Sequence, residues 1–494
     1  MALAALIIIT EVVFVYLMAS AGIEYVLSSM AVTFAVLLQL QFGIRRDTAT
    51  PADIVTFIFC WLFLDLSPKI QLLSAPGALV NTSNVLPGRV LFTNLICALF
   101  IISYILVYVP LQKRSTANAA SAAKAASAAK AANQSDPEAA MPPRFTPLGI
   151  CLMVAICVVV TAALGRTPYQ NQEATAVTPA MLVIKKFLLF LPSATLLIYL
   201  HEMKRTRQKW VFTSACVLAV LVMLVAITEN PLTEKRSGLG PVYLSLMFVA
   251  FESQLRSLNR RLQLLVASMA LIFPAITVLT HSHRQFLHGV KLDAVIETLK
   301  DHYFSINYDA WANTYTIVEM VSKQGIGWGH QLLGDFLFFV PSAVWHGKPV
   351  ATGIAIGNYL IMHHSGWFTN LSAPLVAEGY MDFGAAGVVL YGAALAMIVV
   401  WLNRLAKGDG NLVSFPVAMY GAVFLMFTLR GSLMICVAYG TGALLSFLAA
   451  SACLSIGRRP IGQRYYREAV QARSAERESL PGVGLASLHH QSRG

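Results

Sequence analysis

The amino-acid sequence predicts an all-α polytopic membrane protein. Of its 494 residues, 57% are hydrophobic and 12% are charged, and the mean hydropathy is +0.64. Soluble domains average roughly 25% charged residues. Apolar runs close to the length of a membrane-crossing helix recur along the whole chain. A membrane β-barrel would show short segments of alternating hydrophobicity, each of about 10 residues. The sequence therefore favours helical spans.

About twelve apolar runs are long enough to cross a membrane as helices. A basic cluster follows each even-numbered run, such as the Arg45-Arg46 pair after the second, and the loops after odd-numbered runs are poorer in Lys and Arg. Because basic loops remain in the cytoplasm, this alternation predicts that both termini are cytoplasmic. In chain order, the runs are 2–20, 23–42, 54–73, 91–111, 147–164, 180–200, 210–228, 239–255, 263–280, 383–402, 413–429 and 432–456.

Composition also limits the classes of partner and cofactor. The net charge of +12 comes mainly from basic clusters in short loops, a pattern that orients membrane helices, so we predict no nucleic-acid partner. All seven cysteines fall in predicted spans and none forms a CxxC pair, which argues against disulfides and a zinc site. The histidines show no metal-ligand spacing. We therefore predict neither a metal nor a cofactor.

The chain divides into six segments by composition. The linker contains AASAAK twice in tandem and has no apolar face to bury, so we expect a mobile cytoplasmic segment. The tail is basic and polar, and we expect it to be disordered. The segments are 1–112 with spans one to four, 113–145 as the linker, 146–280 with spans five to nine, 281–382 as a large outer loop, 383–456 with spans ten to twelve, and 457–494 as a cytoplasmic tail.

The large outer loop is the longest polar and aromatic stretch between predicted spans. Residues 281–383 hold most of the histidines and tryptophans of the chain. Asp309 to Val321 has apolar residues at helical spacing and predicts an amphipathic helix on the outer leaflet or against the bundle, with Asp309 as its N-cap. Leu332 to Trp345 is apolar but short and contains Pro341, so we expect a re-entrant or interfacial segment.

Four stretches along the chain together carry a family resemblance. They are Glu229-Asn230-Pro231 through Lys235-Arg236-Ser237-Gly238, the run Phe339 to Pro349, the run Phe368 to Gly387, and Arg430-Gly431. In this order and on the predicted outer face, they resemble the bacterial O-antigen and oligosaccharide repeat-unit polymerases of the Wzy class. The family usually has arginine after the loop proline, where this chain has Ser342; Arg284 or Lys348 could supply that charge instead.

The resemblance implies a glycosyltransferase that needs no metal and no nucleotide sugar. Such an enzyme would join polyprenyl-pyrophosphate-linked repeat units at the periplasmic face of a bacterial inner membrane, beside a chain-length regulator and a flippase of the same pathway. A lipid-linked glycan ligase, which also needs an outer pyrophosphate site, stays open as an alternative. A transporter or flippase fits less well, because we see no internal repeat and no paired broken helices.

The proposed chemistry needs a cation for the departing pyrophosphate and a base for the attacking hydroxyl. Arginine binds phosphate through a planar fork, so Arg236 and Arg430 at the outer boundary are the first candidates, with Lys348 as a third. Each of them could instead be an interfacial base that extends its charge to water. Glu378 is our candidate general base, or else a structural acceptor that fixes the loop to the tenth span.

Further candidates lie in the same loop. His283, beside His281 and Arg284, could bind phosphate or move a proton, although a plain surface cluster is the simpler interpretation. Trp345 and Tyr380 could stack on sugars or pack in the protein. Asp382 is expected to cap the tenth span. The predicted site thus combines Glu378, Arg236 and Arg430 as catalytic residues with Lys348, Arg284, His283, Trp345 and Tyr380 as substrate-binding residues.

Overall fold

The apolar runs fold into a helical bundle, because a backbone inside a membrane must satisfy its own hydrogen bonds. The structure is a computed structural model and describes residues 2–44, 49–75, 77–82, 84–132, 145–164, 179–206, 212–230, 236–269, 305–364, 366, 368–408 and 411–457. These ranges contain helices and connecting turns but no β-strand.

Sixteen α-helices are present in the described ranges. Two π-helical turns, Leu40–Ile44 and Cys60–Leu66, continue α2 and join α3 to α4. In chain order, the helices are α1 (Ala2–Met18), α2 (Ile23–Gln39), α3 (Pro51–Phe59), α4 (Ser67–Ser74), α5 (Pro87–Ala132), α6 (Pro147–Leu164), α7 (Pro179–Arg205), α8 (Phe212–Thr228), α9 (Arg236–Ala250), α10 (Leu258–Ala267), α11 (Ala310–Gln324), α12 (His330–Phe336), α13 (Thr352–His363), α14 (Leu375–Lys407), α15 (Ser414–Arg430) and α16 (Leu433–Leu454).

The protein is a helical membrane protein by the length and composition of its helices. Among the described residues, six helices are long and apolar enough to cross a membrane: Ile23–Ile44, Pro87–Ser121, Pro147–Leu164, Met181–Arg205, Leu375–Lys407 and Leu433–Leu454. Four shorter apolar helices coincide with predicted runs one, seven, eight and eleven. The all-α membrane class is therefore confirmed, whereas the count of twelve spans stays a prediction.

Close helix contacts hold the bundle together where glycine lets two backbones approach. A Cβ atom at Gly442 of α16 would lie 2.7 Å from the carbonyl oxygen of Val183 in α7. A Cβ atom at Gly392 of α14 would lie 2.8 Å from the carbonyl oxygen of Phe100 in α5. These contacts place α16 against α7 and α14 against α5, so the helices on either side of the outer loop belong to one bundle.

The start of the predicted linker is helical. Helix α5 runs to Ala132, through both copies of the tandem repeat at 119–124 and 125–130. Alanine has the highest helix propensity, and the repeat extends a helix that the membrane segment has already nucleated, so no apolar face is needed to start it. The mobile cytoplasmic linker stays a prediction. Residues 133–144 and the tail from 458 onward lie outside the described ranges.

Helix α14 begins earlier than the predicted tenth span. It starts at Leu375 and breaks at Phe383 and Gly384, where Gly384 has φ of +61°. Only glycine adopts this conformation without strain. The predicted start at residue 383 is thus a kink, and the polar segment before it is a helix that carries Glu378 and Asp382.

Helix α11 is buried on all sides rather than amphipathic. Every residue from Ala310 to Met320 is buried, and the Trp311 indole donates to Asn94 Oδ1 of α5 at 2.8 Å. Placement on the outer leaflet was therefore wrong, and packing against the bundle was right. Asp309 stands at the N-cap position, but its side chain makes no capping bond to its own helix. Its carboxylate instead accepts hydrogen bonds from Ser372 and Arg430.

Candidate functional site

The described residues include most of the predicted site. Arg236 is the first residue of α9. His283 and Arg284 lie outside the described residues. Arg430 and Glu378 belong to two groups of contacts, which are joined by the turn between α15 and α16. Lys348, Trp345 and Tyr380 make other contacts.

Asp309 is the centre of the first group, which we call the Asp309 junction. It contains Asp309, Asn313, Ser372 and Arg430. Ser372 Oγ donates to Asp309 Oδ1 at 2.6 Å, and Asn313 Nδ2 donates to Asp309 Oδ2 at 2.9 Å. Arg430 Nη2 donates to Asp309 Oδ1 at 3.2 Å, from a side chain that is 31% exposed against 1% for Asp309. The last two resemblance stretches therefore meet at one buried carboxylate.

Glu378 binds the other side of the same turn. Its two carboxylate oxygens accept the backbone N–H of Leu433, the first residue of α16, at 3.0 and 3.1 Å. Backbone N–H groups at a helix start lack partners inside the helix and attract negative charge. Glu378 is fully buried. The geometry is that of a structural acceptor, and it fixes the position of the turn that follows Arg430.

Three buried carboxylates form the second group, which we call the carboxylate cluster: Asp335, Glu378 and Asp382. Asp382 Oδ1 accepts the backbone N–H groups of Gln331 and Leu332 at 3.2 and 3.4 Å, in the first turn of α12. Asp382 therefore caps α12, whereas the sequence had suggested that it caps the tenth span. Residues that cap a helix distant in sequence leave no local capping pattern, which explains the error.

Asp335 is a functional candidate that the sequence did not indicate. Burial first, and the Asp382 carboxylate second, raise the pKa of Asp335 to about 7. Asp335 Oδ2 makes no hydrogen bond of normal geometry within the described residues. The backbone N–H of Met434 lies near the carboxylate and partly offsets the rise in its pKa. The cluster can thus gain or lose a proton near neutral pH. Asp335 belongs to none of the four resemblance stretches, so no sequence signal pointed to it.

Lys348 is turned into its own loop. Its Nζ donates to the carbonyl oxygens of Phe338 and Val340 at 2.6 and 2.8 Å, and burial lowers the pKa of Lys348. An ammonium group has three N–H donors, so two of them are used in closing the loop. Trp345 packs edge-on against His330, with ring centroids 6.0 Å apart. These contacts make the second resemblance stretch a closed loop that rests on α12.

Tyr380 packs against α5. Its ring meets the ring of Phe92 in α5 edge-on, with centroids 5.7 Å apart, and the side chain is half-buried. A stacking platform for sugars needs an accessible ring face. The contact with Phe92 joins the start of α14 to α5.

Glu319 of α11 forms a further polar cluster that the sequence did not reveal. Its carboxylate accepts from Arg89 at 2.8 Å, from Lys323 at 2.8 Å and from Tyr359 Oη at 2.9 Å, and His364 Nε2 lies 3.1 Å away. Burial alone would raise the pKa of Glu319, but these donors outweigh it and lower the pKa to about 2. The spacing of Glu319 and Lys323 on one helix face was the available signal.

The first resemblance stretch makes a separate contact. Glu229 Oε1 binds Lys186 Nζ of α7 at 2.7 Å, and both side chains are at least 90% buried. Tyr243 Oη donates to the Glu229 carbonyl oxygen at 2.8 Å. Glu229, at the start of the stretch, is thereby held between α7 and α9.

No family model matches this chain, and no curated protein or solved structure is significantly similar to it. Among the described residues, no group of His, Cys, Asp and Glu is arranged to hold a metal ion.

Proposed function

We propose that this protein is a polysaccharide polymerase that joins polyprenyl-pyrophosphate-linked oligosaccharide repeat units. The observation that carries the proposal is the contact of Arg430 with Asp309, which also binds Ser372. Arg430 and Ser372 belong to two stretches that resemble the polymerases, and the contact brings them to one place. The resemblance rests on residue types and order, and this contact is independent of it.

The reaction is a glycosyl transfer. A hydroxyl oxygen of one repeat unit attacks the anomeric carbon of another, the bond from that carbon to the pyrophosphate oxygen breaks, and polyprenyl pyrophosphate leaves with the electron pair. The hydroxyl proton passes to a base. In the proposal, Arg430 stabilises the charge that grows on the pyrophosphate, because a guanidinium stays charged and binds phosphate through a planar fork of N–H donors. Arg236 is proposed as a second phosphate ligand.

Glu378 can act as the base only if its contact with Leu433 opens, since the carboxylate is fully buried. Its neighbour Asp335 shares a proton equilibrium near neutral pH with the cluster, and the cluster as a whole is therefore the proposed proton acceptor. Lys348 is proposed as a loop-closing residue that reaches substrate when the loop moves. Trp345, Tyr380, His283 and Arg284 remain proposed sugar and phosphate contacts.

The setting follows from the same proposal. The protein would lie in a bacterial inner membrane with about twelve spans, both termini in the cytoplasm and the 281–382 loop in the periplasm. Its partners would be the lipid-linked oligosaccharide, a flippase and a chain-length regulator of the same pathway.

A deletion strain tests the function. Surface glycan is separated by length and compared with the same strain carrying the wild-type gene. Loss of a polymerase leaves single repeat units on their final acceptor. Long polymer that accumulates on the polyprenyl carrier would identify a ligase instead, and repeat units held on the cytoplasmic face would identify a flippase. An unchanged length distribution would refute the proposal.

A further inference from the structure

A further group of buried charges lies within the first three predicted spans. It contains Glu11 of α1, Asp65 of the π-helical turn Cys60–Leu66, and Lys69 of α4. The side chains are 11%, 0% and 5% exposed, respectively. Lys69 Nζ lies 2.6 Å from Glu11 Oε2 and 2.6 Å from Asp65 Oδ1. We call this group the membrane triad.

The hydrogen bonds of Thr33 allow the protons of the membrane triad to be counted. Thr33 Oγ1 of α2 accepts from Lys69 Nζ at 2.7 Å, and it lies 2.8 Å from both Glu11 Oε2 and Asp65 Oδ1. A hydroxyl has one proton and can donate to only one of these two oxygens. The other contact has hydrogen-bond length, and it is satisfied only if that carboxyl group donates a proton to Thr33.

The net charge leads to the same count. Two ionised carboxylates and one ammonium would place one uncompensated negative charge inside the bundle. Burying such a charge costs several kcal/mol, and a buried carboxyl group neutralises itself by binding a proton. With one proton added, the membrane triad is neutral.

An unpartnered carboxylate oxygen and a narrow cleft lie at the membrane triad. Asp65 Oδ2 has no hydrogen-bond partner among the described residues, although the side chain is fully buried. Asp65 and Lys69 line a narrow cleft together with Phe14 and Asn94. Ser29 Oγ donates to the other oxygen of Glu11, Oε1, at 2.7 Å.

We propose that the membrane triad is a binding site for one exchangeable proton, shared between Glu11 and Asp65 and reached through this cleft. Ionisable groups inside a membrane bundle commonly form proton relays. The site is independent of the glycosyl-transfer proposal, which uses none of these residues.

Infrared spectroscopy of the purified full-length protein in lipid nanodiscs at neutral pH tests the proposal. The measured quantity is the C=O stretching band of protonated carboxylic acid, expressed per chain. Asp65→Asn should lose one protonated carboxyl per chain, because Glu11 and Lys69 then form a neutral pair. Glu11→Gln should lose the same one. Lys69→Met should gain one, because both acids must then be protonated.

The control is Glu24→Gln in the first turn of α2, a partly exposed acid whose replacement should leave the band unchanged. A band that is equal in wild type, Asp65→Asn and Glu11→Gln would overturn the proposal. A band present only after sodium is removed would overturn it in favour of a monovalent-cation site. Each of the three variants tests the proposal by itself. If one of them does not fold, the other two still decide it.

Discussion

Replacing Arg430 with alanine separates a catalytic role from a structural one, because glycan length and protein stability are measured separately. Arg430 is about one-third exposed and Asp309 is buried, so the loss of stability should lie between about 1 kcal/mol, the upper value for exposed pairs, and about 3–5 kcal/mol, the value for fully buried pairs. Asp309 keeps hydrogen bonds from Ser372 and Asn313, so its carboxylate is not left without partners. The folded protein should therefore survive the substitution.

The catalytic loss should appear in glycan length rather than in the amount of protein. Removing one donor to a developing anion costs roughly 100- to 1,000-fold in rate, or about 3–4 kcal/mol. We expect Arg430→Ala in the deletion strain to give single repeat units with normal amounts of protein in the membrane. Arg430→Lys should recover only part of the activity, because lysine keeps the charge and loses the planar fork. Arg404→Ala, at the exposed end of α14, is the matched control and should give full-length glycan.

Full-length glycan in Arg430→Ala at wild-type protein levels would refute the assignment of Arg430 to pyrophosphate. Loss of the protein from the membrane would instead refute the stability estimate and assign Arg430 a structural role. The thermal stability of the purified variant, measured beside wild type, decides between these outcomes.

The remaining predictions concern the carboxylate cluster and the packing around it. Glu378→Gln keeps an acceptor for Leu433 but not the charge, so glycan length should fall more than in Asp382→Asn; the reverse ranking would remove Glu378 as the base. Asp335 binds protons more tightly in the folded state than in the unfolded state, so stability should decline as pH rises from about 4 to 7, and Asp335→Asn should flatten this decline in thermal melts. In Gly353→Ala, the new Cβ would meet the Leu371 carbonyl oxygen at 2.0 Å; we expect a loss of about 1–3 kcal/mol or more, whereas Gly440→Ala, with its nearest neighbour at 3.6 Å, should change the melting temperature little.

Local sequence features predicted the helices well where hydrophobicity alone decides. Predicted runs five and eleven match α6 and α15 to within one residue at each end. The boundaries failed where polar residues are helical. The tenth span was predicted to start too late, because Glu378 and Asp382 are charged and were assigned to the loop. In the structure their carboxylates accept N–H groups at the starts of α16 and α12, so α14 can bury them.

The candidate site was only partly predictable. Arg430 and Glu378 were singled out from motif order, but the sequence suggested neither Asp309 as the partner of Arg430 nor Leu433 as the partner of Glu378. Asp335 and Glu319 were missed, since each owes its environment to side chains from other helices. Leu433 lies 55 residues from Glu378 in the sequence, and Asp309 lies 121 residues from Arg430.

The sequence by itself determined that this protein is a helical membrane protein, because hydropathy and helix propensity are properties of neighbouring residues along the chain. Only the tertiary structure decided which carboxylates hold helix starts, that the pKa of Asp335 rises to about 7, and which carboxylate receives Arg430. Those outcomes depend on which helix ends meet, and on how far each carboxylate is removed from water there.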